Sequence, residues 1–269
     1  MNKVLQGGLI GLYRAVKATG MLNTAWGRRV FESAYFLYKD RFEAGPIGWL
    51  RPCVRPGTVV IDVGANVGFF TLQFASWVTK GGRVIALEPE AINYAGLERA
   101  VARAGLTGTV ETIQAAAADV TGTGFLELNP GHAGDHKLAR AGVAVDMITL
   151  DDLLRARGWP EVSLIKIDVQ GAEARVLAGA REVLERFRPA LFLEADDRGL
   201  KEYGSSATEL LTSCTERGYA IHARAGKGLS TPLSIDQALA DTEGYTDFLI
   251  LPTERSVGTD TFWLSAQAR

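Results

Sequence analysis

The residues best suited to chemistry lie in a short glycine-containing segment, residues 62–68, with the sequence DVGANVG. The segment follows an apolar run, residues 58–63, that predicts a strand, and residues 66–80 after it predict a helix. In doubly wound α/β sheets, the turn between the first strand and the first helix binds nucleotides. Gly64 and Gly68 permit a close backbone approach that a Cβ atom would block. We therefore assign Gly64, Asn66 and Gly68 to a ligand-binding loop.

The charges around this loop indicate which nucleotide it binds. The spacing differs from the dinucleotide fingerprint G-x-G-x-x-G, and Asp62 precedes the first glycine by two residues. A carboxylate there would repel a pyrophosphate but would suit an ammonium group. Glu88 lies 20 residues after Gly68, the offset of a carboxylate that holds a ribose diol, and Pro89 then ends the second strand. A nucleoside with an amino-acid tail satisfies both features, so the residues predict S-adenosylmethionine; a solvated strand end is the other interpretation of Glu88.

A second group of candidates lies in residues 162–169, which predict an apolar strand. Alternation places Lys166 and Asp168 on one face of it and the isoleucines on the other. A lysine within an apolar strand needs a counter-ion, and Asp168, Glu173 and Glu194 are the candidates. Lys166 is then either one member of a structural ion pair or a group that orients the acceptor.

Asp168 and Glu194 end two successive predicted strands, residues 162–169 and 189–194. Open sheets bind ligands at the carboxyl ends of their strands. We therefore expect Asp168 to contact the donor or the acceptor, or to bind a metal, and Glu194 to face the same crevice. Ala116, at the end of a third predicted strand over 109–116, is also assigned to the cofactor site.

Residues 129–137 predict a long polar loop that contains two of the three histidines. If the methyl group of the donor goes to an alcohol, the hydroxyl proton must be removed, and histidine is a competent base at neutral pH. His136 is the first choice, with Asp135 as a helper; a solvated surface loop is the alternative. His132, Asp135 and His136 are an alternative site for a divalent metal, but they match no strong metal-ligand spacing, so no metal site is assigned. His222 is interpreted as a packing residue.

Short apolar runs alternate with helical patterns from residue 58 onward. This order predicts a mostly parallel, doubly wound α/β sheet, with an antiparallel hairpin at one edge formed by residues 219–223 and 247–251. Residues 125–128 and 143–148 predict a further pair of short strands, and residues 172–186 predict one helix.

The first 50 residues differ from the rest because aromatic and basic side chains alternate in them. The spacing of Phe31, Tyr35, Tyr38 and Phe42 predicts an apolar helical stripe. We interpret residues 1–50 as an N-terminal helical segment, either a packing element or a lid, and residues 51–269 as the main domain. No run reaches the ~20 apolar residues of a membrane-spanning helix, so no transmembrane segment is predicted.

Composition narrows the classes of function. The chain has 269 residues, 47% of them hydrophobic, and a net charge of −2 from 29 basic and 31 acidic residues. This balance argues against nucleic acid as a partner. Cys53 and Cys214 cannot form a disulfide framework and predict reduced thiols in a cytoplasmic protein. A homo-oligomer is left open.

Several motifs together resemble the FkbM-type methyltransferases: residues 62–68, Glu88-Pro89, residues 149–153 (TLDDL), 164–173 (LIKIDVQGAE) and 188–194 (RPALFLE). The resemblance covers about half of the chain, from residue 58 to 194. It implies a Rossmann-like class I methyltransferase fold, S-adenosylmethionine as cofactor, and O-methylation of a sugar, glycan, glycolipid or secondary metabolite. Gln170 departs from the family pattern, which usually has Glu there.

Three other functions compete with an O-methyltransferase. An NAD(P)-linked oxidoreductase is disfavoured by the missing middle glycine and by Asp62. A non-catalytic nucleotide-binding module is disfavoured because Asp62, Gly64, Gly68 and Glu88 are all present. A nucleic-acid methyltransferase is disfavoured by the charge balance and by the lack of an Asn/Asp-Pro-Pro-aromatic motif.

Overall fold

The computed structural model describes residues 47–129, 136–225, 228–240 and 247–256. In chain order its strands are β1 (Val59–Val63), β2 (Arg83–Leu87), β3 (Val110–Ile113), β4 (Ala116–Ala117), β5 (Gly122–Glu127), β6 (Lys137–Ala139), β7 (Val143–Ile148), β8 (Val162–Ile167), β9 (Ala190–Glu194), β10 (Tyr219–His222), β11 (Arg224–Ala225), β12 (Gly228–Leu229) and β13 (Asp247–Pro252). The helices are α1 (Phe69–Trp77), α2 (Ala91–Arg103), α3 (Leu150–Arg155), α4 (Glu173–Ala178), α5 (Arg181–Phe187), α6 (Asp197–Glu202), α7 (Ala207–Glu216), α8 (Ile235–Ala240) and α9 (Thr253–Ser256), preceded by the 3-10 helix Ile47–Cys53.

The main sheet has the order β10-β13-β9-β8-β1-β2-β3 within the described residues. All neighbouring pairs are parallel except those of β13, which is antiparallel to both β9 and β10. The mostly parallel, Rossmann-like sheet is confirmed, as is the antiparallel hairpin at its edge. The strand that is antiparallel to both of its neighbours, β13, is the second strand from the edge, because β10 pairs with its outer side.

Both faces of the main sheet are covered, which explains why β1 and β8 are buried at every position. One face packs against α3, α4, α5, α7 and α8, and takes the side chains of Ile165 and Ile167. The other face packs against α1, α2 and the 3-10 helix, and takes Leu164. Alternation along β8 therefore directs Lys166 to the α1 side of the sheet.

A small sheet of order β4-β7-β5-β6 lies between β3 and α3 in the chain, and we call it the small sheet. Its β5–β7 pair is antiparallel and matches the predicted pair of short strands. The predicted strand over 109–116 is instead divided, because β3 pairs with β2 whereas β4 pairs with β7. The prediction of a continuous polar loop over 129–137 was wrong at its end, where Lys137 enters β6; residues 130–135 lie outside the described residues.

The helix predicted over 172–186 is two helices, α4 and α5, separated at Gly179 and Ala180. A Cβ atom on Gly179 would lie 2.0 Å from the carbonyl oxygen of Ala118. The close approach between this turn and the end of the small sheet explains the break in the helix.

Residues 1–46 lie outside the described residues, and so does most of the predicted N-terminal helical segment. The part that is described, the 3-10 helix, packs on the sheet through Trp49, whose ring is 5.6 Å from that of Phe192 in an edge-to-face contact. Within the described residues, no helix combines the length and the apolar character that crossing a membrane requires.

Candidate functional site

The predicted site residues on β1, β2, β8 and β9 meet at one edge of the main sheet. The carboxyl ends of parallel strands lie on the same side, and these four strands are neighbours in the order β9-β8-β1-β2. The loops that follow β1, β2 and β8 carry Gly64, Glu88 and Asp168, and Glu194 is the last residue of β9. We call this region the carboxyl edge.

The glycine loop, residues 64–68, is shaped by contacts within the protein. Gly64 has φ +74°, and a Cβ atom there would lie 1.9 Å from the carbonyl oxygen of Asp168. Gly68 has φ +95°, and its Cβ atom would lie 2.9 Å from Leu97 Cδ1 on α2. Asn66 is also left-handed, with φ +50°, a conformation that Asn tolerates better than most residues. The glycines therefore let the loop pack closely on the end of β8 and on α2.

Glu88 holds the far side of this loop. Its Oε2 accepts a hydrogen bond from the Asn66 N–H at 2.8 Å, and its Oε1 accepts one from the Glu90 N–H at 3.0 Å. Burial raises the pKa of Glu88 to about 7, while these two hydrogen bonds oppose the rise. The Asn93 side chain also bonds to this carboxylate, so three of its four lone-pair sites are used and one is left to accept a hydroxyl proton. Pro89, half-buried, follows directly.

Asp62 lies beneath the glycine loop and is completely buried. Its Oδ2 accepts a hydrogen bond from Thr71 Oγ1 at 2.6 Å, and its Oδ1 lies 3.3 Å from Lys166 Nζ. The ammonium group that Asp62 meets in the structure is therefore that of Lys166. Its contact with a cofactor remains a prediction.

Lys166 connects several parts of the carboxyl edge. Besides Asp62, its Nζ lies 3.5 Å from Asp168 Oδ2 and donates to the carbonyl oxygen of Gly64 at 2.9 Å. The ammonium group also sits over the ring of Phe70, 5.1 Å from its centre. Sequence reasoning named Asp168 as a partner but missed Asp62. Part of the signal was available, because doubly wound sheets place strands such as β1 and β8 side by side. The register that pairs Asp62 with Lys166 is seen only in the structure.

Asp168 is the more accessible of the two carboxylates beside Lys166, with 32% of its side chain exposed. Gln170 donates from Nε2 to Asp168 Oδ1 at 3.3 Å, so the carboxylate is oriented from two sides. Gln170 has a left-handed backbone, φ +55°. A Glu at this position would place a like charge beside Asp168 instead of a donor.

Glu173, which the sequence offered as a counter-ion for Lys166, has another role in the structure. Its Oε1 accepts hydrogen bonds from the N–H groups of Val169 and Gly171, at 3.2 and 3.1 Å, and so closes the loop that follows β8. Burial raises its pKa to about 7. An acid in the first turn of a predicted helix, just after a glycine, was the available signal.

Glu194 ends β9 and is 3% exposed. The register Ile167↔Leu193 places it beside Asp168 on the neighbouring strand. The predicted proximity of these two strand ends therefore follows from the pairing, whereas a catalytic role for Glu194 remains a prediction. Ala116 is buried in β4 and pairs with Met147, so its assignment to the cofactor also remains a prediction.

His136 lies just before β6 in the small sheet. Its Nδ1 accepts a hydrogen bond from the Asn129 N–H at 3.1 Å, so a neutral ring carries its proton on Nε2. To accept a proton at Nδ1, the ring must first release this bond. Its role as a base remains a prediction, and His132 and Asp135 lie outside the described residues.

The small sheet is fastened to the carboxyl-edge side of the main sheet through α6, which follows β9. Lys137 Nζ lies 2.7 Å from Glu202 Oε2, and the Tyr203 hydroxyl donates to the carbonyl oxygen of Leu138 at 2.7 Å.

His222, far along the chain, is buried in β10 with Nδ1 2.9 Å from the Ser230 carbonyl oxygen. Across the described ranges, no three His, Cys, Asp or Glu side chains form a group that could hold a metal ion.

Comparison with known proteins gives one family and several relatives. The model of the methyltransferase FkbM domain matches residues 62–221. The chain is 32% identical over 185 residues to 31-O-demethyl-FK506 methyltransferase FkbM of Streptomyces tacrolimicus, covering 55% of this chain and 69% of the relative. It is 26% identical over 172 residues to 2-O-methyltransferase NoeI of Sinorhizobium fredii, covering 55% of this chain and 67% of that protein.

A solved methyltransferase FkbM from Methylobacillus flagellatus superposes with a TM-score of 0.47 at 20% identity. The superposition covers 81% of this chain and 53% of that one, so the chain spans about half the length of the solved protein.

Proposed function

This chain belongs to the FkbM methyltransferase family, and we propose that it transfers the methyl group of S-adenosylmethionine to a hydroxyl oxygen. The observation that carries the proposal is the junction of Glu88 with the glycine loop, where the buried carboxylate accepts the Asn66 N–H at 2.8 Å. This junction joins a group that can hold a ribose to a loop that can hold the rest of a nucleoside.

The residues of the carboxyl edge fit this donor. Glu88 has a lone pair left to accept a ribose hydroxyl. Glu88, Asp168 and Glu194 bring carboxylates to the carboxyl edge, whereas Lys166 pairs with Asp168 and with Asp62, which is buried beneath the glycine loop. Such a set of negative charges disfavours a pyrophosphate and favours a donor that carries ammonium and sulfonium groups. This charge pattern supports S-adenosylmethionine over a dinucleotide.

When bound, S-adenosylmethionine supplies an activated methyl group and a good leaving group. The protein must then hold the acceptor oxygen in line, exclude water and remove one proton. Asp168 is our first choice to receive that proton, because its carboxylate is oriented by Lys166 and Gln170 and is still 32% exposed. His136 is the second choice, since its Nδ1 already accepts the Asn129 N–H.

The acceptor that we propose is a hydroxyl of a sugar, glycan, glycolipid or secondary metabolite. The names of two relatives, a 31-O-demethyl-FK506 methyltransferase and a 2-O-methyltransferase, describe transfer to oxygen in those proteins. Both relatives align over 55% of this chain.

Titration calorimetry with S-adenosylhomocysteine, S-adenosylmethionine and NADH tests the donor. We expect binding of the first two and none of NADH, and the reverse result would support an oxidoreductase. Transfer of a labelled methyl group to a panel of sugars, glycolipids and polyketide alcohols then tests the acceptor. Product analysis by mass spectrometry distinguishes an O-methyl ether from other methylated products.

A further inference from the structure

The ion pair of Asp62 and Lys166 has no access to a ligand in the structure. Asp62 is 0% exposed and Lys166 is 2% exposed, and both lie below the glycine loop on the α1 side of the sheet. Thr71, also fully buried, anchors the carboxylate from α1. A donor lying on the carboxyl edge would meet the loop before it met either charge.

Lys166 is bonded to the backbone of this loop. Its Nζ donates to the carbonyl oxygen of Gly64 at 2.9 Å and lies 3.4 Å from that of Val63, the last residue of β1. From the side, Gly64 packs against the carbonyl of Asp168 so tightly that no Cβ atom fits. The first residue of the loop is therefore fixed from beneath by Lys166 and laterally by β8.

The other end of the same loop reaches Glu88. The Asn66 N–H donates to Glu88 Oε2, so the position of the loop backbone and the position of this carboxylate are coupled. A displacement that begins at Gly64 is transmitted over two residues to the group that would hold the ribose. Loss of Lys166 should therefore disturb the nucleoside end of the site as much as the amino-acid end.

We propose that Lys166 is a positioning residue and that Asp62 is its buried counter-ion: the pair holds the glycine loop in place and touches no part of the donor. The inference rests on the proposed function, because it concerns how that donor is bound. It differs from the expectation that Asp62 contacts the donor's ammonium group directly.

Two ligands separate these possibilities. S-adenosylhomocysteine has the amino-acid tail, whereas 5′-methylthioadenosine has the same nucleoside and lacks the tail. If Asp62 and Lys166 position the loop, Lys166→Met and Asp62→Asn should weaken both ligands by the same factor, about tenfold or more. If Asp62 binds the ammonium group, Asp62→Asn should weaken S-adenosylhomocysteine alone, and that result would overturn the proposal.

The double variant, Asp62→Asn with Lys166→Met, distinguishes positioning from bulk stability. Lys166→Met alone leaves a buried carboxylate without its cation, which is strongly destabilising, and Asp62→Asn removes that stranded charge. We expect the thermal midpoint of the double variant to recover towards wild type while both affinities stay low, because the bond to Gly64 is still missing. Recovery of the affinities together with the midpoint would contradict a positioning role.

Thr71→Val is the milder variant if Lys166→Met does not fold. It removes the donor to Asp62 Oδ2 and keeps the shape of the side chain, so both ligands should weaken equally by about twofold to tenfold. Unchanged affinities in folded Thr71→Val would contradict the proposal.

Arg83→Met, which removes an exposed cation at the opposite end of β2, is the matched control and should leave both affinities unchanged. A wild-type protein that binds neither ligand would refute the proposed function itself.

Discussion

The carboxyl edge of the main sheet and the small sheet differ in how firmly their side chains are held. Strands β1 and β8 are buried at every position, and their charged residues are paired inside the protein. Strands β5 and β7 expose Phe125 and Val143 to 42% and 51%, and the ion pair that links β6 to α6, Lys137 with Glu202, lies at the surface. Tight packing thus surrounds the proposed donor site, and we expect the small sheet, where His136 directly precedes β6, to tolerate more substitutions.

This difference in packing favours different roles for the carboxyl edge and the small sheet. A donor that is the same in every turnover benefits from a preorganised loop, because no ordering is needed when it binds. A region that contacts the acceptor can vary at little expense to folding, since exposed substitutions change stability by about 0.5 kcal/mol or less. We expect substitutions at the carboxyl edge to reduce donor affinity and stability, and substitutions in the small sheet to spare both.

The largest effect is expected at Gly64. In Gly64→Ala, the new Cβ atom would lie 1.9 Å from the backbone carbonyl oxygen of Asp168, and the residue would keep a left-handed φ of +74°. We expect the free energy of unfolding to fall by roughly 2–5 kcal/mol and binding of S-adenosylhomocysteine to be lost. Urea denaturation and titration calorimetry measure the two effects.

Gly124→Ala in the small sheet is the matched control. Its Cβ atom would lie 2.6 Å from the sulfur of Met147, a flexible side chain, and Gly124 is not left-handed. We expect a change in stability within about 1 kcal/mol and unchanged donor affinity. Equal losses in the two variants would refute the contrast between the regions.

The next effect is expected at Glu88. Glu88→Gln turns one acceptor into a donor that faces a backbone N–H, so it disturbs the Asn66 or Glu90 bond and the ribose contact together. We expect the affinity for S-adenosylhomocysteine to fall by about tenfold to hundredfold. Titration calorimetry measures this affinity. Glu127→Gln, an exposed change on β5, is the control and should keep the wild-type affinity. If Glu88→Gln also kept it, Glu88 would not belong to the site.

A smaller effect on donor affinity is expected from a change in pH. The pKa of Glu88 is raised to about 7, and the ionised form is the one that accepts ribose hydroxyls. Donor affinity should therefore rise as the pH increases from 6 to 8, by at most about tenfold per unit. Calorimetry across this range measures it, and a flat profile in the wild-type protein would contradict an ionised Glu88 as the ribose acceptor.

Stability should change in the opposite direction. Glu173 also has its pKa raised to about 7 in the folded protein, above the 4.5 of an unperturbed glutamate. Between these two pKa values the folded state binds more protons than the unfolded state. The stabilisation that protonated Glu173 gives to the folded state is therefore fully present below about pH 4.5 and is lost as the pH rises through 7. Glu173→Gln should reduce the pH dependence of the free energy of unfolding by up to about 3 kcal/mol between pH 5 and 8. Denaturation curves that keep the wild-type dependence would show that Glu173 is not its source.

The sequence predicted the main sheet better than the small sheet, for physical reasons. The apolar runs of β1 and β8 are buried on both faces, so periodicity and turn residues suffice to place them. The short β6 has no such pattern, and its pairing with β5 depends on contacts across the chain. Likewise the types and spacing of Asp62 and Glu88 indicated a nucleoside, but only three-dimensional pairing could show that Asp62 faces Lys166 and that Glu173 closes the loop after β8.

The smallest effect on donor affinity is expected at His136, because it lies in the small sheet and its Nδ1 is bonded to the Asn129 N–H. We expect His136→Ala to leave the affinity for S-adenosylhomocysteine and the free energy of unfolding near the wild-type values, the latter within about 0.5 kcal/mol. If His136 removes the acceptor proton, turnover with an identified alcohol should fall by about 10²-fold or more. If Asp168 does so, Asp168→Asn should show that loss and His136→Ala should retain most of its activity. Steady-state rates of both variants, measured from pH 6 to 9, decide between the two bases and test whether the small sheet contributes to chemistry at all.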